Sequence, residues 1–131
     1  MGKVNWKEIL GWGDEQLAEL RLAGFSFLRQ GHYEKALLFF EGLVVLDPKS
    51  AYDIQTLGAL YLQMGKGLKA LSALNQALTL DPKHEPTLLN KSKALLQLHR
   101  KQEALALANV LKMSKDPTIM DDAIALMLAY S

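Results

Sequence analysis

The tetrapeptide Leu46-Asp47-Pro48-Lys49 recurs 34 residues later as Leu80-Asp81-Pro82-Lys83. Ten of the 34 positions aligned by this shift are identical, where about two or three would be expected by chance. The other identical pairs are Gly24 and Gly58, Leu28 and Leu62, Gly31 and Gly65, Lys35 and Lys69, Ala36 and Ala70, and Leu37 and Leu71. A period of this length, punctuated by a helix-stopping proline, indicates stacked pairs of helices.

The aligned residues have the sizes that a pair of packed helices requires. We number each repeat from its first residue, which is Leu17 in repeat one and Ala51 in repeat two. Position 8 is glycine in both copies, which lets two helices pass closely, and position 20 is alanine in both. Large side chains fill positions 11 and 24, and a proline occupies position 32: Phe27, Tyr61, Phe40, Leu74, Pro48 and Pro82.

This pattern resembles that of the tetratricopeptide repeat (TPR), and the resemblance covers Leu17 to His84. A third, weaker copy follows, which keeps Leu88, Leu95 and Ala104 at positions 4, 11 and 20. It has serine at position 8 and histidine at the turn, and its proline comes one residue late. Terminal repeats commonly drift in this way.

We therefore expect a single all-α domain over residues 1–131. The resemblance implies an α-α superhelix of about three TPR helix pairs, with a short N-terminal segment and a C-terminal capping helix. The predicted boundaries are 1–16 for the N-terminal segment, 17–50, 51–84 and 85–118 for the three repeats, and 119–131 for the capping helix.

The composition excludes several classes of function. The chain has 15 Lys and Arg against 14 Asp and Glu, so its net charge of +1 offers no general attraction to nucleic acid or anionic lipid. It has no cysteine, which removes disulfides, thiolate metal sites and cysteine nucleophiles. The most apolar stretch, from Ala36 to Leu46, is too short to span a membrane. We expect a cytoplasmic protein with no nucleic-acid partner.

Catalysis finds no support in the sequence. No serine, histidine and aspartate fall in the strand–turn–helix context of a nucleophile, and Gly65-Lys66-Gly67 reads as a turn between helices instead of a phosphate loop. The three histidines, His32, His84 and His99, are far apart in the sequence. We therefore predict no enzymatic activity, no metal site and no cofactor.

The first helix of each repeat, called the A helix, lines the concave face of a TPR superhelix. Its groove-facing positions combine apolar side chains with neutral amides, which suits an apolar extended peptide or helix of a protein partner. The predicted partner-binding residues are Arg21, Phe25, Leu28, Tyr52, Gln55, Thr56, Ala59, Leu62, Leu89, Asn90, Lys93 and Leu96. An alternative reading is that Leu28, Leu62 and Leu96 only pack neighbouring A helices together.

One well-known TPR function can be tested on these positions. Cochaperones that bind the C-terminal carboxylate of large heat-shock chaperones use a clamp of fixed lysine, arginine and asparagine donors. The matching residues here are Arg21, Phe25, Thr56, Pro86 and Asn90, of which only the arginine could serve. We therefore do not expect this role.

A more specific resemblance links the chain to bacterial type III secretion chaperones of the TPR class. It is carried by Gly31-His32-Tyr33-Glu34-Lys35-Ala36, Phe39-Phe40, Leu57-Gly58-Ala59 and Gln63-Met64-Gly65-Lys66. It implies a cytoplasmic chaperone that holds a secretion substrate, either a hydrophobic translocator or a needle subunit, in its groove until export. The alternatives are a general TPR scaffold or adaptor in a stable complex, and a regulatory or catalytic role with an unrecognised small ligand.

The N-terminal segment is apolar on one side. It contains Val4, Trp6, Ile9, Leu10 and Trp12. We expect it either to pack on the first A helix as a cap or to serve as an arm for a partner or for a homodimer or heterodimer. The last helix is apolar enough to cap the array or to contact the partner.

Overall fold

A computed structural model describes residues 4–131, so residues 1–3 of the predicted N-terminal segment lie outside the described part. Within that part the chain is helical and has no strand, which confirms the predicted all-α fold. In chain order the helices are α1 (Trp6–Ile9), α2 (Asp14–Arg29), α3 (Tyr33–Leu46), α4 (Ala51–Gln63), α5 (Gly67–Leu80), α6 (Glu85–Gln97), α7 (Lys101–Leu111) and α8 (Pro117–Tyr130).

Three helix pairs stack into a superhelical array. The pairs α2 with α3, α4 with α5, and α6 with α7 each pack together, and every second helix also contacts the first helix of the next pair. The predicted boundaries at 50/51 and 84/85 fall directly before α4 and α6. The last helix begins at Pro117 instead of residue 119, because the Asp116 side chain accepts a hydrogen bond from Thr118 N and caps it.

In the first two pairs, a glycine of the first helix packs against a large side chain of the second helix. A β-carbon on Gly24 would lie 2.9 Å from Cε2 of Phe40, and one on Gly58 would lie 2.7 Å from Cδ2 of Leu74. In the third pair the same two positions hold Ser92 and Ala108, which are both fully buried, so a residue larger than glycine accompanies one smaller than leucine or phenylalanine. The drift of repeat three is therefore compensated within the pair.

The three A helices end in the same way. The second residue after each helix has positive φ, and the N–H of the residue that follows it bonds to a carbonyl five residues back, as in a Schellman motif. The positive-φ residues are Gly31 at 80°, Gly65 at 73° and His99 at 61°. The bonds run from His32 N to Phe27 O (2.9 Å), Lys66 N to Tyr61 O (2.8 Å) and Arg100 N to Leu95 O (2.8 Å). Repeat three thus places a β-carbon where the other repeats have glycine.

Replacing His99 with glycine is expected to stabilise the protein. A non-glycine residue in the left-handed region costs about 1 kcal/mol, and glycine removes this cost without changing the hydrogen bonds of the motif. Thermal unfolding should show Tm higher by about 3 to 6 °C. The matched control is Gly65→Ala, which should lower Tm by a similar amount. An unchanged or lower Tm for His99→Gly would contradict this account.

The position of the N-terminal helix bears on the first role expected for this segment, a cap on the first A helix. α1 contacts α3, and in the described part of the chain it has no contact with α2. The Asn5 side chain caps α1 by accepting from Glu8 N at 3.0 Å, and Gly11 at φ 67° then turns the chain. None of the four residues of α1 is buried. The helix of this segment therefore packs on α3, and the role of the whole segment as a cap or as an arm for a partner stays a prediction.

Candidate functional site

An open groove of about 510 Å³ runs along the concave side of the array. It is formed by α2, the first residue of α3, α4 and the start of α6. Its lining residues are Phe25, Leu28, Tyr33, Tyr52, Gln55, Thr56, Ala59, Leu60, Gln63, His84, Pro86, Thr87 and Asn90. None of these side chains carries a permanent charge, so the groove suits an uncharged, apolar segment.

The structure brings part of the predicted site together. The predicted residues that line the groove are Phe25, Leu28, Tyr52, Gln55, Thr56, Ala59 and Asn90. They come from α2, α4 and α6, as the assignment of A helices to the concave face predicts. Their role in binding a partner stays a prediction.

Five predicted residues lie outside the lining of this groove. Leu62 and Leu96 are partly buried against the main core, which agrees with the alternative reading that they pack neighbouring helices. Lys93 is partly buried on α6. Leu89 is only 4% exposed, because it packs in a second core with Ala108, Leu111, Ile119 and Ala123. It is covered by α8, so it is not available at a groove surface.

Arg21, the fifth of these residues, is engaged inside the protein. Its Nε donates to Asp53 Oδ1 at 2.7 Å, and its Nη2 donates to Asp53 Oδ2 at 2.7 Å and to Asp47 Oδ2 at 2.8 Å. The hydrogen bond to Asp53 raises the pKa of Arg21 above its ordinary value, against the opposing effect of burial. The one residue that matched the carboxylate clamp is thus occupied by two carboxylates of its own chain.

Other lining residues escaped the sequence reasoning. Tyr33 is the first residue of α3, His84 is the N-cap of α6, and Thr87 lies in the first turn of α6. Residues at turns and helix starts lie outside the periodic part of the A helices, so helical periodicity does not predict them. The sequence does contain a signal for Tyr33, which is an aromatic residue two places after Gly31 in the turn that follows α2. A residue just after that turn lies next to the groove.

The polar groups of the groove divide into two sets. Thr56 Oγ1 donates to Tyr52 O at 2.8 Å, and His84 Nδ1 lies 2.7 Å from Thr87 Oγ1, so these groups are paired within the protein. In residues 4–131, no side-chain hydrogen bond engages the amides lining the groove, namely Gln55, Gln63 and Asn90. Such amides can donate to and accept from the backbone of a bound peptide.

Two aromatic rings provide exposed apolar surface next to these amides. Phe25 is 38% exposed and Tyr52 is 49% exposed. The Arg29 guanidinium carbon lies 5.4 Å from the centroid of the Phe25 ring, which holds that ring from the solvent side. Aromatic anchors of this kind contribute much of the affinity at protein interfaces.

Among the described residues, no group of three or more His, Cys, Asp or Glu side chains lies close enough to hold a metal ion. None of the helices between residues 4 and 131 combines the length and the apolar character that crossing a membrane requires.

Comparison with known families identifies the repeat. Residues 29–110 match the family model described as anaphase-promoting complex, cyclosome, subunit 3. The chain belongs to this family. The match covers most of repeats one to three, so membership of this TPR-like family and the fold agree. No curated protein sequence matches the chain.

Solved structures similar to this family member include type III secretion chaperones. SycD of Yersinia enterocolitica in complex with a peptide of the translocator YopD has a TM-score of 0.81 and 22% identity, covering 90% of this chain and 94% of that one. PcrH, from Pseudomonas aeruginosa, in complex with the chaperone binding region of PopD has a TM-score of 0.76 and 23% identity, covering 92% and 94%.

A third similar structure is the first TPR of Spaghetti (RPAP3) bound to an HSP90 peptide, with a TM-score of 0.77 and 18% identity, covering 89% of this chain and 94% of that one. At these identities the likeness shows the fold, and the TPR superhelix is confirmed. The TPR proteins that resemble the chain thus include complexes with quite different peptides.

Proposed function

We propose that this protein is a cytoplasmic chaperone that holds an apolar segment of a type III secretion substrate, a translocator or a needle subunit, in its concave groove. The observation that carries the proposal is the chemistry of the groove. It is open, uncharged, lined by exposed aromatic rings and supplied with unpaired amides. The fold is similar to that of SycD in complex with a peptide of the translocator YopD and of PcrH in complex with the chaperone binding region of PopD, which supports the same function.

The groove suits an aggregation-prone segment for a physical reason. Each apolar side chain that moves from water into such a groove contributes about 1.5 to 3 kcal/mol. The amides of Gln55, Gln63 and Asn90 compensate the peptide groups that lose water on binding. An acidic segment gains nothing there, since Arg21 is already paired with Asp47 and Asp53.

The proposal also includes a second copy of the chain, or another protein, as a partner for the N-terminal segment. Val4, Trp6, Ile9 and Leu10 are exposed, and the first two line a shallow cleft together with exposed Val45 of α3. A cluster of exposed large apolar residues commonly marks an interaction surface. Covering it in a homodimer or heterodimer would leave the groove free for the substrate.

Phe25→Asp and Tyr52→Asp are each expected to abolish the complex with the partner, because each replaces an aromatic anchor with a carboxylate that would lose its water against an apolar segment. Pull-down of the co-expressed partner should fall by at least about tenfold. The matched control is Leu68→Asp, which places the same charge on an exposed leucine of α5 outside the groove. Normal capture by both folded groove variants would rule out this binding site.

The first test of the function is affinity purification of the tagged protein from its native host, with mass spectrometry of what accompanies it. One small secreted or membrane-inserting protein, present in near-stoichiometric amount, is the expected result. Unrelated soluble proteins would instead favour a general TPR scaffold or adaptor. The match to a family described as a subunit of a complex favours that alternative.

A further inference from the structure

The junction between repeats one and two is more open than the others. The A helices α4 and α6 have Cα atoms within 8 Å of each other, and so do α6 and α8. Among the described residues, no Cα of α2 lies within 8 Å of a Cα of α4. The groove spans this gap and continues to the start of α6, with Phe25 on one side of the gap and Tyr52 on the other.

One side chain crosses the gap. The Arg21 guanidinium reaches from α2 to both carboxylate oxygens of Asp53 on α4, at 2.7 Å each, and also to Asp47 in the loop before α4. Asp53 is fully buried, whereas the Arg21 side chain is 27% exposed. A two-pronged guanidinium–carboxylate pair has a fixed planar geometry, so it sets both a distance and an orientation.

The neighbouring junction lacks this pair. Thirty-four residues further on, Gln55 replaces Arg21 and Thr87 replaces Asp53, while the loop keeps its aspartate as Asp81. The two replacements are uncharged, and both line the groove. The wide junction between α2 and α4 therefore has the ion pair, whereas the closer junction between α4 and α6 lacks it.

We propose that Arg21 and Asp53 form a positioning clasp that holds α2 and α4 at the spacing the bound segment needs. Neither residue lines the groove, so the clasp acts through the helices that carry Phe25 and Tyr52. The use of that spacing rests on the proposed function, since it assumes that a segment enters between these helices. The spacing itself is a property of the free protein.

The test exchanges the clasp for the neighbouring pair in the double variant Arg21→Gln/Asp53→Thr. The protein has no cysteine, so spin labels can be placed at single introduced cysteines. Labels at 29 and 63 report the spacing of α2 and α4, and labels at 63 and 97 occupy the equivalent positions on α4 and α6. All three residues are exposed. We expect the first distance to shorten towards the second in the double variant, with the second unchanged.

Binding to the groove is measured with N-phenyl-1-naphthylamine, an uncharged aromatic dye. Fluorescence that persists in the Tyr52→Asp variant is subtracted as binding outside the groove. The double variant should bind the dye at least about threefold more weakly while keeping a cooperative thermal transition, because small errors in spacing weaken a preorganised site. Asp47→Asn is the matched control. It leaves the Arg21–Asp53 pair intact, so both distances and the dye affinity should remain as in the unmodified protein.

The outcomes separate the two proposals. An unchanged 29–63 distance in the double variant overturns the clasp, and a shorter distance with unchanged dye affinity overturns its positioning role. Neither measurement needs a natural partner. Failure to recover a secreted protein from the native host would therefore contradict the proposed function without deciding whether the clasp sets the groove.

Discussion

Replacing Arg21 with methionine is expected to lower the free energy of unfolding by about 3 to 5 kcal/mol. Asp53 has no exposed surface, and both of its oxygens accept from this one guanidinium. The variant would leave a buried carboxylate without the guanidinium, and within residues 4–131 no other side chain donates a hydrogen bond to its oxygens. Urea unfolding followed by far-UV circular dichroism should show a clear fall in the midpoint concentration.

Two controls separate the ion pair from the loss of any arginine. Arg29→Met removes an exposed guanidinium that only stacks on Phe25, and we expect a loss of about 0.5 kcal/mol or less. Arg21→Gln/Asp53→Thr removes both charges and should recover most of the stability, since exchanging a whole buried pair costs little. Equal losses for Arg21→Met and Arg29→Met would show that Asp53 does not depend on its partner.

The same residues show where sequence reasoning reaches its limit. The helix pairs were predictable because their signals are local: glycine at position 8, alanine at position 20 and a stop near position 32. The pairing of Arg21 with Asp53 was not, because it joins position 5 of one repeat to position 3 of the next across a gap. Helical periodicity predicts that Arg21 faces the groove, whereas in the structure Arg21 links α2 to α4.

The burial of a predicted groove residue by a neighbouring helix was equally hard to predict from the sequence. Leu89 has the same helical register as Arg21 and Gln55, so the repeat pattern assigned it to the groove. α8 stacks on α6 and α7 and encloses it with Ile119. The packing of α1 on α3 could not be predicted for a similar reason, since Gly11 sets a chain direction that composition does not reveal.

The second large effect on stability concerns position 8, where glycine packs against the large residue at position 24. Gly58→Ala is expected to cost about 1 to 3 kcal/mol, because the new β-carbon would lie 2.7 Å from Cδ2 and 2.8 Å from Cγ of fully buried Leu74. Leu74→Ala alone should cost about 2 to 5 kcal/mol through the cavity that it leaves. Both losses can be measured by urea unfolding.

The double variant Gly58→Ala/Leu74→Ala should cost less than the two losses added, by at least about 1 kcal/mol. Truncating Leu74 removes the clash, and the new methyl group fills part of the cavity. Repeat three already uses this solution, with Ser92 and Ala108 at the same two positions and the Ser92 hydroxyl bonded to Ala104 O at 2.7 Å. Strict additivity would mean that the two positions do not share space. The drift in repeat three would then need a cause other than compensation within the pair.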